Sequence, residues 1–174
     1  VETTEKIRSL PENGSVMIPQ SGLAPGFIGI LGGHLAKSFD EGSIKTLKLM
    51  VGALPESPSN IGRLKWASTW SPVGMIVECL EDCNVIVDGR QTTVPALGGR
   101  EDIDVNGEIL RAAYTSGGLG TITETFPVSG EASYKTLRYD DRHWKIMEGL
   151  TRRIRNAEMQ SEAIDNLAEQ IVER

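Results

Sequence analysis

Apolar positions recur along the chain at two spacings, and the spacing changes several times. Ser43 to Ala53 (SIKTLKLMVGA) sets Ile44, Leu47, Leu49 and Val51 against interleaved lysines, which predicts a strand with one wet face. Ala132 to Tyr139 (ASYKTLRY) alternates as well, with Tyr134, Thr136 and Arg138 on one face and Lys135, Leu137 and Tyr139 on the other. Asn84–Asp88 and Arg90–Pro95 flank Gly89 and read as a hairpin or two short strands. Asp102–Val105 and Glu108–Tyr114 flank Asn106-Gly107, a pair that favours a type I′ turn and an antiparallel hairpin. The short apolar run Val16–Pro19 reads as a buried strand.

Helical spacing takes over elsewhere. Ser71 is suited to an N-cap and Pro72 to the first helical position, after which Met75, Ile76, Cys79 and Leu80 share one face. Trp144, Met147, Leu150 and Ile154 form a second stripe. After a break at Asn156–Gln160, Ile164, Leu167, Ile171 and Val172 form a third, whose apolar face needs a partner. Helices are also expected from about Pro25 to Phe39, at the end of Thr3–Leu10, and briefly before Phe126. Five or six strands, mostly antiparallel, with helices before, between and after them give an α+β (mixed α/β) fold, a mixed sheet with helices packed on one face.

A chain of 174 residues can build one sizeable core, burying roughly 70% of its unfolded surface. A net charge of -6 and the lack of a basic tract argue against nucleic acid as a partner. No apolar run approaches the ~20 residues of a membrane span, so no membrane partner is expected. The polar, acidic start is not a signal peptide. With Val rather than Met first, inside an apparent helix, the chain reads as a processed or excised piece. Cys79 and Cys83, with only His34 and His143 elsewhere, make a poor metal set, so no metal site is expected. Both cysteines are expected to be reduced, in a cytoplasmic protein.

Candidate chemistry gathers at a few places. Trp66 and Trp70 sit just before the Ser71 helix start, where unpaired backbone N–H groups attract anions and an indole offers an apolar wall. Gly22 and Gly26 bracket Pro25 between a strand and a helix, a possible amide cradle. It is not a dinucleotide fingerprint, because G-x-G-x-x-G does not occur and Gly26, Gly29, Gly32 and Gly33 fall within the expected helix. His34 reads as a packing residue rather than a ligand. The loop Leu54–Gly62 could be a simple connection or functional. Glu78, two turns into the Ser71 helix, is the foremost acidic candidate. Trp70-Ser71, the glycine-rich loop Thr115–Thr121 and the strand carrying Arg138 together offer an aromatic wall, a backbone surface and a guanidinium, which suits a small acidic or amino-acid ligand.

Three stretches then look familiar. VGALPESPSNIGRLKWASTWSPVGMIVECLEDC, AYTSGGLGTITET and YKTLRY resemble the second domain of the saccharopine dehydrogenase and lysine 6-dehydrogenase family. SGLAPGFIGIL resembles the segment by which that family's chain leaves its nucleotide-binding domain, and the likeness runs in order from about Val16 to Leu150. It implies residues 1–24 as the end of a nucleotide-binding domain and crossover, 25–140 as a substrate-binding and dimerisation sheet domain, and 141–174 as C-terminal helices. It also implies NAD or NADP in the full-length protein, with none expected on this piece alone. The partners it implies are an amino-acid or amine substrate, the N-terminal nucleotide-binding domain and a second copy in a homodimer.

By this resemblance Trp70, Ser71, Thr115, Ser116, Gly117, Gly118, Thr136 and Arg138 line the substrate site. Gly22, Pro25 and Gly26 form a G-x-x-P-G turn near the nicotinamide. The family's R-Y-P-G-H is replaced here by Arg138-Tyr139-Asp140-Asp141-Arg142-His143. Either His143 takes the family histidine's place or that role is lost, and the extra acids would suit an amine-rich substrate. His143 and Glu78 are the acid/base candidates. The alternative reading is a catalytically inactive assembly module or a small-molecule binding domain.

Overall fold

A computed structural model of the chain describes residues 6–7, 9, 16–40, 44–56 and 70–172. Its elements are α1 (Phe27–Ala36), β1 (Thr46–Val51), α2 (Pro72–Leu80), β2 (Cys83–Val87), β3 (Arg90–Val94), β4 (Glu101–Val105), β5 (Glu108–Tyr114), α3 (Ile122–Thr125), β6 (Glu131–Arg138), α4 (Asp141–Arg155) and α5 (Gln160–Val172). The six strands form one open sheet in the order β3-β2-β6-β5-β4, with β1 also pairing to β6. β2 with β6, β6 with β5, and β5 with β4 are all antiparallel, so the fold is α+β as expected.

Local chemistry accounts for the sharpest boundaries. The Ser71 hydroxyl accepts the Gly74 N–H at 3.1 Å and Pro72 takes the first helical position of α2. Asp88-Gly89 and Asn106-Gly107 turn their hairpins with positive φ at both residues of each pair, as type I′ turns require. The Asp104 carboxylate also accepts the Gly107 N–H. Asp140 caps α4 by accepting the Arg142 N–H at 3.0 Å.

The chain divides into two compact units, each built from separated segments. One comprises residues 1–49, 84–92 and 117–134, and the other 50–83, 93–116 and 135–174. In the second unit α2, α4 and α5 cover one face of β5. Met75, Ile76, Cys79, Trp144, Met147, Ile154, Leu167 and Ala168 pack there with Ala113. The apolar face of α5 is therefore covered by α2 and α4 of its own unit. The opposite face of the same strands carries Leu110, Ala112 and Leu137, with Met50, Leu54, Ile103 and Tyr139 against them. The alternation in β5 and β6 sorts these two layers.

The first unit has a smaller core of Ile86, Val128 and Ala132 with Ile44, Leu47 and Phe126. In it α1 departs from the usual amphipathic arrangement. Its buried positions are Gly32 and Ala36, and Gly29 lies against Ile122, while Phe27, Ile30, Leu31 and Leu35 are exposed. A side chain at Gly32 would press on Leu49, so the small residues let this helix approach closely.

Several expectations are corrected. Val16–Pro19 is neither a strand nor buried, since Val16 and Ile18 are 88% and 78% exposed and no strand of the described sheet pairs with this run. Apolar composition without a neighbouring ladder does not make a strand. Gly26 is not within the helix but is its N-cap, at φ 135°. His34 is exposed rather than packed. Trp66 and the greater part of the Leu54–Gly62 loop lie outside the described residues, as does most of Thr3–Leu10.

Candidate functional site

The C-terminal end of β6 carries the buried polar cluster of the second unit. Arg138 is 3% exposed, and its guanidinium carbon lies 5.9 Å from the Trp70 ring centroid and 5.7 Å from that of Trp144. Cation–π attraction at such distances strengthens when water is excluded. Arg138 Nη1 donates to the Leu137 carbonyl at 3.0 Å, and Nε donates to His143 Nε2 at 3.3 Å. His143 is itself buried and meets Trp144 edge-to-face, with ring centroids 5.0 Å apart. Trp144 Nε1–H donates to the Arg111 carbonyl at 3.1 Å, and Arg111 is the β5 residue paired with Arg138. The indole thereby ties the first turn of α4 to the strand beside the guanidinium.

The position of α4 is fixed from outside the cluster. Arg100 bonds Asp141 at 2.9 Å and also holds Glu148, one in each of two successive stretches of the helix. Lys145 adds an i,i+4 contact to Asp141 at 3.2 Å. Asp140 thus serves as a helix cap and Asp141 as an ion-pair partner.

Glu78, partly buried on α2, is the acidic member of the cluster. Burial pushes its carboxyl above the ordinary carboxylate range, and the Arg138 guanidinium pulls it back part of the way. Its backbone carbonyl accepts the Ser116 N–H at 2.8 Å, which joins α2 to the start of the loop after β5. Thr115 and Thr136 hydroxyls share a 2.7 Å hydrogen bond, and both side chains are buried. Cys79 and Cys83 carry no disulfide and are buried. The Cys79 thiol is pushed up to about 12, chiefly by burial and next by Glu78, with Arg138 opposing.

The structure therefore brings Trp70, Glu78, Arg138 and His143 into one cluster, with Thr136 on β6 itself and Thr115 and Ser116 just after the end of β5. Ser71 does not join them. It is exposed and its hydroxyl serves as the α2 cap. Trp144 was absent from the sequence-based site, where it counted only as part of an apolar stripe. Its signal was the sixth position after Arg138, next to His143.

The remaining candidates belong to the first unit. Gly117 takes φ +82° with open space where a side chain would be, whereas Gly118 lies under the Tyr134 ring, which would collide with any Cβ there. Ala24-Pro25 is cis, Phe27 N–H donates to the Gly22 carbonyl at 2.8 Å, and Gly22 N–H donates to the Pro25 carbonyl at 3.0 Å. A Cβ at Gly26 would collide with the Gly22 and Gln20 carbonyls, so this turn admits only glycine. It borders a cleft of about 590 Å³ lined by Met17, Gln20, Ile30, Gly120 and Thr121 among others. Among the described residues no three His, Cys, Asp or Glu side chains gather as a metal set. No described helix is long and apolar enough to cross a membrane.

The sequence profile of the family described as "Saccharopine dehydrogenase C-terminal domain" matches residues 22–170. Among solved structures, apo histidine-tagged saccharopine dehydrogenase (L-Glu forming) from Saccharomyces cerevisiae superposes with a TM-score of 0.54 at 16% sequence identity. That likeness, one of fold, covers 73% of this chain and 31% of the yeast chain, so the chain spans about a third of that protein's length.

Proposed function

Because the chain belongs to the saccharopine dehydrogenase C-terminal domain family, we propose that it is the substrate-binding and dimerisation domain of an NAD(P)-dependent amino-acid dehydrogenase. The reaction class is hydride transfer at an amine-bearing carbon, through an imine, as for saccharopine or lysine. One observation carries this reading. Arg138 is a buried guanidinium, braced by the Leu137 carbonyl, His143 and two indoles at the end of a strand. A planar fork held in one orientation is suited to bidentate recognition of a carboxylate.

Trp70 would pack the substrate's aliphatic chain, and Thr115, Ser116 and Thr136 would line its path. Glu78, whose burial favours the protonated form, would exchange a proton with the amine. Catalysis here is mainly positioning, since the two-electron chemistry belongs to the nicotinamide. A nicotinamide dinucleotide, when bound, accepts or returns the hydride. By the resemblance Gly22, Pro25 and Gly26 would flank it, beside the cleft that Gln20, Gly26 and Thr121 line.

The test is nicotinamide absorbance with the full-length protein, in both directions, against L-lysine, L-saccharopine and a carboxylated polyamine. Turnover with one of them, lost in Arg138→Gln, supports the reading. Dinucleotide binding without turnover of any of the three removes the proposed substrate class. Failure to bind dinucleotide at all moves the reading to an assembly module.

A further inference from the structure

Resting on Arg138 as the carboxylate clamp, we propose that His143 is a positioning residue, which sets the plane of the Arg138 guanidinium by accepting its Nε–H and does not itself exchange a proton with substrate. Guanidinium is a donor only, so the 3.3 Å contact between Arg138 Nε and His143 Nε2 makes Nε2 the acceptor. The ring is then neutral, with its proton on Nδ1. An imidazolium at this place would have no acceptor to offer and would set a second cation against the first.

The rest of the arrangement restricts the guanidinium in the same sense. Leu137 takes a proton from Nη1, Trp144 lies against the group, and Trp144 is fixed by the Arg111 carbonyl on the paired strand. Nε is thereby committed to His143. The helix start capped by Asp140 returns the chain from Arg138 to His143 within five residues, which places the imidazole against the arginine that the strand has just delivered.

Two side chains distinguish this role from proton transfer and from mere filling of space. Phe at 143 keeps the bulk and loses the acceptor. Gln keeps an acceptor oxygen and cannot act as an imidazole acid or base. The experiment is steady-state kinetics of the full-length protein with L-lysine and L-saccharopine, alongside thermal midpoints for each variant. His143→Phe is expected to raise KM more than about 10-fold with kcat within about twofold, the scale of one hydrogen bond to a charged group. His143→Gln is expected to return KM to within about threefold of wild type. In an Arg138→Gln background, His143→Phe is expected to add less than about twofold, because the two residues act as one unit.

A loss of kcat at unchanged KM in both His143 variants would make His143 a proton-transfer group and overturn the proposal. Equal impairment by Gln and Phe, additive with Arg138→Gln, would reduce it to packing and overturn it as well. If His143→Phe does not fold, His143→Met supplies the apolar comparison. An unchanged KM in Arg138→Gln, or wild-type protein inert to both substrates, would instead remove the clamp on which the proposal rests.

Discussion

Arg138 shows how a charged side chain is kept inside a protein. Its cost of burial is offset by a carbonyl, an imidazole nitrogen and two aromatic faces, all supplied within β6, α4 and the residue before the α2 cap. Glu78 pays more for its position. Its folded carboxyl binds the proton more tightly than the unfolded one, so its contribution to stability is full below about pH 4.5 and is lost as pH rises through the raised folded value. Glu78→Gln is accordingly expected to be more stable than wild type at pH 7, with the advantage shrinking toward pH 4 in chemical denaturation, while substrate turnover falls. Cys79 and Cys83, both buried and both pushed up to about 12, are expected to resist alkylation at pH 8 in the folded protein and to react fully in denaturant. Trp144 is fully buried and bonded through its indole N–H. Trp144→Ala is expected to cost about 3–5 kcal/mol, measured by urea unfolding.

Elements whose boundaries are set by adjacent residues were legible in the sequence. Ser71-Pro72 caps α2, Asn106-Gly107 turns β4 into β5, and the break after Arg155 separates α4 from α5, all within the few residues that announce them. Ser71→Ala is expected to lower stability by about 1 kcal/mol without moving the cluster around Arg138, as judged from thermal unfolding and an unchanged KM. The two faces of β6 were also legible, because alternation sorts Thr136 and Arg138 from Lys135 and Leu137. What escaped the sequence depended on distant partners. The run at residues 16–19 has strand-like composition but no paired ladder. Gly118 was read as a place where backbone meets ligand, yet it is covered by Tyr134 sixteen residues later in the chain. Gly118→Ala is expected to destabilise by about 1–3 kcal/mol through that collision, seen as a lowered urea midpoint. The membership of Trp144 in the Arg138 cluster was hidden in the same way, since helical spacing alone gives a core position.

On the scale of the whole chain, the two units differ in how they are held. The second has a core of fully buried aromatic and aliphatic side chains between helices and sheet, while the first buries fewer large groups and exposes most of α1. Amide hydrogen exchange is expected to be slowest in α2, α4 and β5 and faster in α1, in proportion to that burial. Neither unit is a continuous stretch, because the chain passes between them after residues 49, 83, 92, 116 and 134. The interleaving has a consequence for synthesis. The segment ending at Leu49 cannot complete its unit until Tyr134 has emerged, a wait on the order of 10 s at ~5–20 residues per second of translation. Contacts so far apart in sequence also slow folding itself, so this unit closes late in the emergence of its own residues rather than piece by piece.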